Sequence, residues 1–134
     1  MDIESFYPRL YRLASRKIKE MSHRQKPFIT SNKKDGFQHD LPTPKELVEV
    51  LIRSKGKCAI SGVTGHWPIE HYLKPAPLLL VIDHIIPVSR GGSFGVGNIQ
   101  VALSCINQVK GNRTDEEVRV WLEGLRKNHK KKDE

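Results

Sequence analysis

An aspartate and a histidine stand side by side directly after an apolar run. The continuous stretch from Leu78 to Ile82 is typical of a buried strand, and Asp83 and His84 follow it. Adjacent residues at a strand end point in divergent directions, so the two side chains can serve different functions in one site. A carboxylate is a hard oxygen ligand that suits Mg²⁺. An imidazole, with an unperturbed pKa of about 6.5, is suited to taking a proton from water.

A third residue, Asn107, offers a neutral oxygen from a short helix that is predicted to begin near Ser104 or Cys105 and to end near Gly111. One carboxylate and one amide oxygen leave most positions around an octahedral ion to water and substrate phosphate, as is usual for Mg²⁺ that works on phosphates. Taken singly, each residue has a plainer interpretation. His84 could be a core histidine, and Asn107 could be an uninvolved surface residue.

These residues belong to a longer ordered pattern. It comprises Asp83-His84, Pro87-x-Ser89-x-Gly91-Gly92, Asn98 and Asn107-x-x-Lys110-Gly111. This pattern resembles the HNH endonucleases, the ββα-metal family. The spacings, fourteen residues from His84 to Asn98 and nine from Asn98 to Asn107, are similar to those in the HNH domain of the RNA-guided CRISPR nuclease. The resemblance covers about residues 57–113, and agreement of several residue types at ordered spacing is far more specific than a short motif.

The resemblance implies a metal-dependent DNA endonuclease and a role for each matched residue. His84 would be the catalytic general base that activates water, and Asp83 and Asn107 would hold one divalent ion, Mg²⁺ or Mn²⁺. Asn98 would bond to backbone and fix the direction of the His84 ring; it also reads as a simple turn residue. Products would carry 5′-phosphate and 3′-hydroxyl ends. An inactive DNA-binding module and an RNA-cleaving nuclease remain alternatives.

The sequence departs from the family pattern in two ways. The final position holds Asn107 where the family name implies histidine, although an asparagine retains an oxygen ligand. Many members bind structural zinc with two Cys-x-x-Cys pairs, which here read Cys58-x-x-Ser61 and Leu103-x-x-Ile106, so structural zinc is not expected. Apolar packing of Leu103 and Ile106 is expected to replace it. The alternative is a mixed zinc site formed by Cys58 and Cys105 with His66 or His71.

Composition points to a polyanionic partner and an intracellular setting. The net charge is +8, from 23 Lys and Arg against 15 acids, and neutralising phosphates releases counterions. A basic surface that serves solubility is the alternative. Three cations in or beside the motif are candidate nucleic-acid contacts: Arg90, Lys110 and Arg113. No apolar run has membrane-spanning length. Two cysteines predict reduced thiols in a cytoplasmic protein, and the chain could be a monomer or a homodimer.

The elements that must position these residues predict an α+β fold: a ββα-metal core with flanking helices and a basic N-terminal helix. The first strand ends at His84, the second follows Asn98, and the next helix carries Asn107. Residues 1–42 are predicted to be a basic helical segment and linker, with the helix over residues 2–26 broken by Pro27. Residues 43–129 form the HNH nuclease domain and 130–134 a basic tail. Within that domain, Thr43 and Thr114 predict capped helices over residues 43–55 and 115–128.

Overall fold

The computed structural model describes residues 3–31, 41–68 and 76–132. Within these ranges the chain forms four α-helices and a two-stranded antiparallel sheet. The elements are α1 (Ile3–Ser31), α2 (Pro44–Ser54), β1 (Leu80–His84), β2 (Ile99–Leu103), α3 (Ser104–Lys110) and α4 (Asp115–Lys132). The predicted mixed α+β class is therefore confirmed. The linker predicted before residue 41 lies mostly outside the described residues.

The sheet and the helix that follows it form as the sequence predicts. Strand β1 ends at His84, β2 begins directly after Asn98, and α3 begins at Ser104 without an intervening loop. The apolar run starts two residues before the strand, because Leu78 closes a 3₁₀ turn, Ala76–Leu78. The antiparallel register sets Asp83 opposite Gln100 and His84 opposite Ile99. Cross-strand neighbours of this kind lie close enough for their side chains to interact.

Two helices begin at the capping boxes that the sequence predicts. The Thr43 hydroxyl accepts a bond from the Glu46 backbone N–H at 3.2 Å, and the Glu46 carboxylate accepts one from the Thr43 N–H at 2.9 Å. Thr114 and Glu117 exchange the same pair of bonds, at 3.2 Å and 3.3 Å, ahead of α4. A side-chain cap of this type stabilises a helix by about 1 kcal/mol.

Both terminal helices are longer than the sequence predicts. Helix α1 continues through Pro27 to Ser31, since an internal proline removes one backbone donor without always ending a helix. Helix α4 runs to Lys132, so residues 130–132 are helical rather than a separate tail. On α4 only Val118 is buried among the described side chains, and Trp121 is 45% exposed.

One hydrophobic core joins the helices to the sheet. Leu10, Ala14 and Met21 of α1 belong to the same buried cluster as Leu51 of α2 and Val101 of β2. The N-terminal helix is therefore packed as part of the domain core. None of the helices within the described ranges is long and apolar enough to cross a membrane.

Candidate active site

Asp83, His84 and Asn107 line a single pocket of about 340 Å³. Asp83 and His84 are the last two residues of β1, and Asn107 lies in the middle of α3. Because β2 pairs with β1 and leads directly into α3, the helix is brought next to the end of β1. The hairpin and the helix together assemble three side chains that are spread over 25 residues of sequence, from 83 to 107.

The Asp83 carboxylate is fixed through one of its two oxygens. Its Oδ2 accepts a bond from the Lys110 Nζ at 2.7 Å and another from the Gln100 Nε2 at 2.9 Å. No described residue donates to Oδ1. The side chain is 8% exposed. Asp83 is therefore held rigidly by its interior oxygen and keeps the second oxygen as a possible ligand.

Lys110 is the centre of a buried charged network. Its ammonium is within 2.7 Å of Asp83 Oδ2, Asp115 Oδ1 and the His84 carbonyl, and 3.0 Å from the Ile85 carbonyl. A buried ammonium needs such partners, because an unpaired charge away from water is strongly unfavourable. Four oxygens around an ammonium with three protons leave none for a phosphate. The predicted contact of Lys110 with nucleic acid is therefore wrong. Its side chain is 1% exposed and binds oxygens of the protein itself.

Gln100 and Asp115 are site residues that sequence reasoning missed. The Gln100 Nε2 bonds to Asp83 and also to both Asp115 oxygens, at 3.0 Å and 2.9 Å. Gln100 reaches Asp83 because the two residues are paired across the sheet. The only sequence signal for Gln100 was a polar residue inside an otherwise apolar strand. Asp115 read simply as an acid in the first turn of a helix.

His84 is buried, and its ring is held by an aromatic neighbour. The ring packs edge-to-face on Phe94, with the centroids 5.2 Å apart and an interplanar angle of 76°. Both ring nitrogens are buried without a hydrogen-bond partner among the described residues. Burial lowers the pKa of His84 below its ordinary value of 6.5, and the positive charge of Arg24 lowers it further, whereas Asp83 acts to raise it. The imidazole is thus neutral near pH 7, the state that can accept a proton.

Phe94 also revises our view of the Gly91–Gly97 segment. The sequence predicts a flexible loop there, yet Phe94 is 1% exposed and lies in the core. Backbone conformation favours glycine at position 91, and close packing requires it at position 92. Gly91 has a φ of +91°, and a Cβ at Gly92 would lie 1.8 Å from the Ile86 carbonyl oxygen. The loop is therefore anchored against the segment that follows His84.

Asn98 ties this loop to the backbone after β1. Its Oδ1 accepts a bond from the Ile86 N–H at 2.8 Å, and its Nδ2 donates to the Ile86 carbonyl at 3.0 Å and the Ser93 carbonyl at 2.8 Å. These are the backbone bonds that the resemblance implies. Asn98 does not line the pocket. It acts as a positioning residue, because it fixes the chain just after His84 and just before Phe94.

Helix α1 also contributes to the pocket, although the sequence predicts it only as a basic helix. Lys17 and Arg24 line the pocket together with Asp83 and His84. Their seven-residue separation places them on one side of the helix. The sequence shows this spacing, but it does not show which side of α1 faces the pocket.

Arg90 and Arg113 lie on the surface beside the site. Arg90 donates to the Glu117 carboxylate at 2.9 Å and to the Asn112 carbonyl at 3.3 Å. The bond from Arg90 is the main reason that the pKa of Glu117 lies below its ordinary value. Arg113 donates to the Val109 carbonyl at 3.1 Å. Both arginines are exposed, and their contact with nucleic acid remains a prediction.

The donors fit a hydrated divalent ion better than a thiolate-bound one. Among the described residues no three His, Cys, Asp or Glu side chains group together. A site of one carboxylate and one amide oxygen does not need such a group, since Mg²⁺ keeps several waters. The Asn107 side chain has no hydrogen bond to a described residue and faces the same pocket as Asp83. These two oxygens suit the predicted ion.

The two cysteines are the possible thiolate ligands of a zinc site. Cys58 is buried and Cys105 half-buried, both as free thiols. Leu103 and Ile106, at the positions where the family pattern would place cysteines, are 2% and 8% exposed and belong to the core, as expected. His71, a candidate ligand of a mixed site, lies outside the described residues.

The sequence matches no family model, and no curated protein is significantly similar to it. What the site can do is therefore inferred from its residues and their geometry.

Proposed function

We propose that this protein is a metal-dependent DNA endonuclease whose ββα-metal core, of the HNH type, consists of β1, β2 and α3. The observation that carries the proposal is that Asp83, His84 and Asn107 line one pocket. A carboxylate, an amide oxygen and a neutral imidazole are the groups that hydrolysis of a phosphodiester at a single metal ion requires. The strand–strand–helix order that delivers them matches the order that the motif implies.

His84 would act as the general base. Its buried, neutral ring can take the proton of a water molecule that attacks the phosphorus. The edge-to-face contact with Phe94 restrains the ring, and Asn98 holds the backbone just after His84 and just before Phe94. The ring therefore needs little reorganisation to accept a proton, which lowers the barrier.

Asp83 Oδ1 and the Asn107 side-chain oxygen would hold one divalent ion, Mg²⁺ or Mn²⁺. When bound, such an ion would stabilise the negative charge that builds up on the phosphate and on the leaving 3′ oxygen. Lys110 and Gln100 restrain the other oxygen of Asp83, so that only one oxygen of this carboxylate is available as a ligand.

Charge supports DNA as the substrate. The chain carries a net charge of +8, and several cations of α1 are exposed, among them Arg12, Arg16 and Lys19. Basic groups spread along a helix contact the regularly spaced phosphates of a nucleic acid without reading its sequence. A pocket of 340 Å³ at the side of this helix would then meet one phosphodiester.

Nicking of supercoiled plasmid with Mg²⁺ or Mn²⁺ tests the proposal. Wild type is expected to nick the plasmid, and His84→Ala and Asn107→Ala are each expected to lose about 100-fold or more of the rate. His23→Ala and Gln108→Ala are matched controls, because both residues are exposed and neither lines the pocket. The controls are expected to keep nearly the wild-type rate.

Two results would contradict the proposal. Wild-type protein that binds duplex DNA without nicking it at any metal concentration would be an inactive binding module. Wild-type protein that cuts single-stranded RNA but leaves duplex DNA intact would be an RNA nuclease with the same pocket. Running both substrates side by side separates these two results.

A further inference from the structure

The charge pattern of α1 does not match a simple division into a buried face and a solvated basic face. Leu10 and the cations Lys17 and Arg24 stand seven residues apart, so they form one stripe along the helix. Ala14 and Met21, also seven apart and beside that stripe, are fully buried. Two cations therefore occupy the inward side of the helix, where an amphipathic pattern would place apolar residues.

Both cations contribute to the lining of the candidate active-site pocket. Lys17 and Arg24 line it, and among the described residues Asp83 and His84 are the only other ionisable groups in its lining. The Asp83 carboxylate is already bonded to the Lys110 ammonium at 2.7 Å. Once that bond balances the acid, the lining carries an excess of positive charge. Such a concave surface attracts an anion.

Neither cation is strongly engaged within the protein. Lys17 has a 3.4 Å contact with Glu20, which is 59% exposed, and a surface pair of this kind contributes little. Arg24 has no ion pair or hydrogen bond with another described residue. Both side chains line the same pocket as the His84 ring, so their charges face the proposed base.

We infer that Lys17 and Arg24 bind the phosphate group of the substrate inside the pocket, so that α1 forms a catalytic wall of the nuclease. The inference rests on the proposed function and deepens it. Arg24 offers a planar fork that matches two phosphate oxygens, and Lys17 offers a compact point charge. Both would act on the phosphate in the same pocket that the Asp83 and Asn107 side chains line. Their attraction grows as the phosphate gains charge in the transition state.

Packing keeps this wall in place. Leu10, Ala14 and Met21 anchor α1 in the domain core, so the helix that carries the two cations is already in place when the substrate arrives. Such preorganisation is what makes fixed charges effective in catalysis. Arg12 and Lys19 lie on the same helix but are exposed and do not line the pocket. They are expected to contribute only to general DNA affinity.

A pair of double variants tests the inference kinetically. Lys17→Gln/Arg24→Gln and the matched control Arg12→Gln/Lys19→Gln remove the same charge from the same helix. Both are expected to weaken duplex binding in EDTA and to reduce its salt slope by about 2. Only the pocket variant is expected to lose about 100-fold or more in single-turnover nicking at saturating protein. An equal loss of nicking rate in both variants, or no loss in the pocket variant, would overturn it.

A binding measurement keeps the inference testable without catalysis. Inorganic phosphate is titrated into metal-free protein while the His84 ring signals, assigned with His84→Ala, are followed by NMR. A saturable shift is expected in wild type and in the control double variant, and none in the pocket variant. Absence of a saturable shift in wild type would overturn the inference. A shift in a protein that cuts no nucleic acid would keep the phosphate site and reject the proposed function.

Folding must be verified for the pocket variant, since Lys17 is only 22% exposed. The single variant Arg24→Gln changes an exposed side chain and is expected to retain the wild-type unfolding midpoint in urea. It is expected to lose at least about 10-fold in nicking rate. Wild-type nicking by a folded Arg24→Gln protein would count against Arg24 as a phosphate ligand.

Discussion

Lys110 lies on the interior side of the Asp83–His84 pair, and Lys17 and Arg24 lie on its pocket side. Lys110 is 1% exposed and enclosed by four protein oxygens. Lys17 and Arg24 have at most one long contact with a described carboxylate. Composition cannot separate these cases, because all three are simply cations near one motif. Burial and pairing decide that the first holds the protein's own carboxylate while the others are available to a ligand.

Removing the interior cation should have the largest effect on stability. Lys110→Met keeps the length of the side chain but leaves Asp83 and Asp115 buried without their shared ammonium. Loss of one partner of a buried ion pair costs about 3–5 kcal/mol, so the free energy of unfolding measured in urea should fall by this amount. Lys127→Met, at an exposed position of α4, is the control and should change the free energy of unfolding by less than about 0.5 kcal/mol.

The comparison would fail if Lys110→Met were as stable as wild type, because the cation would then not be holding the network. A further variant sharpens it. Adding Asp115→Asn to Lys110→Met removes one of the two stranded charges and should restore part of the lost stability. No recovery in the double variant would mean that the ammonium acts mainly through the His84 and Ile85 carbonyls.

Loss of Asn98 should have an intermediate effect. Asn98→Ala removes three bonds to the Ile86 and Ser93 backbone, at a site that water can partly reach. We expect a loss of about 1–3 kcal/mol in urea unfolding. Nicking should slow by more than DNA affinity weakens, since His84 and Phe94 lose their common anchor. Asn98→Asp, which retains only the Oδ1 acceptor, should fall between Asn98→Ala and wild type; an Asp variant weaker than the Ala variant would argue against this anchoring role.

Protonation of His84 should have the smallest effect on stability. Its pKa depends both on Lys110 and on the pocket cations Lys17 and Arg24. Its folded-state pKa lies below 6.5, so in EDTA the unfolded chain binds more protons as the pH falls. This residue should leave stability unchanged well above pH 6.5 and should reduce it from about pH 6.5 down through its folded pKa. His84→Gln should show a shallower decline in the same urea series.

The same titration, followed by NMR in EDTA, distinguishes the two sides of the site. Arg24 lowers the pKa of His84 more than any other charge, ahead of Lys17 and Lys110. Arg24→Gln is therefore expected to raise the pKa of His84, whereas Arg12→Gln should leave it unchanged. An unchanged pKa in Arg24→Gln would place Arg24 away from the ring and weaken the argument for a catalytic wall.

Sequence predicts the hairpin and α3 almost to the residue because their signals are local. The apolar run before Asp83, the capping threonines and the motif spacing each describe neighbours along the chain. Asp83, His84 and Asn107 come together because one short hairpin and one helix join them. The bonds of Asn98 likewise span only thirteen positions, from Ile86 to Asn98.

Residues that join the site through long-range packing could not be found this way. Lys17 and Arg24 reach the pocket only because α1 packs on the domain core, and no local pattern specifies that contact. Asp115 meets Lys110 across the turn between α3 and α4. Lys110 itself was assigned to nucleic acid because a sequence reveals charge but not burial. Pro27 was read as a helix end for a similar reason, since tertiary packing overrides local propensity.

Because Lys110 is buried, its chemical reactivity should report local unfolding of the core. Amine-reactive labels need a deprotonated, accessible nitrogen, and the ammonium of Lys110 is surrounded by protein oxygens and shielded from solvent. Exposed lysines such as Lys45 and Lys127 should be acylated quickly in the native protein. Lys110 should be acylated only when α3 separates from the hairpin. The acylation rate of Lys110, measured by mass spectrometry of the peptide that contains it, would therefore report how often this part of the core unfolds locally.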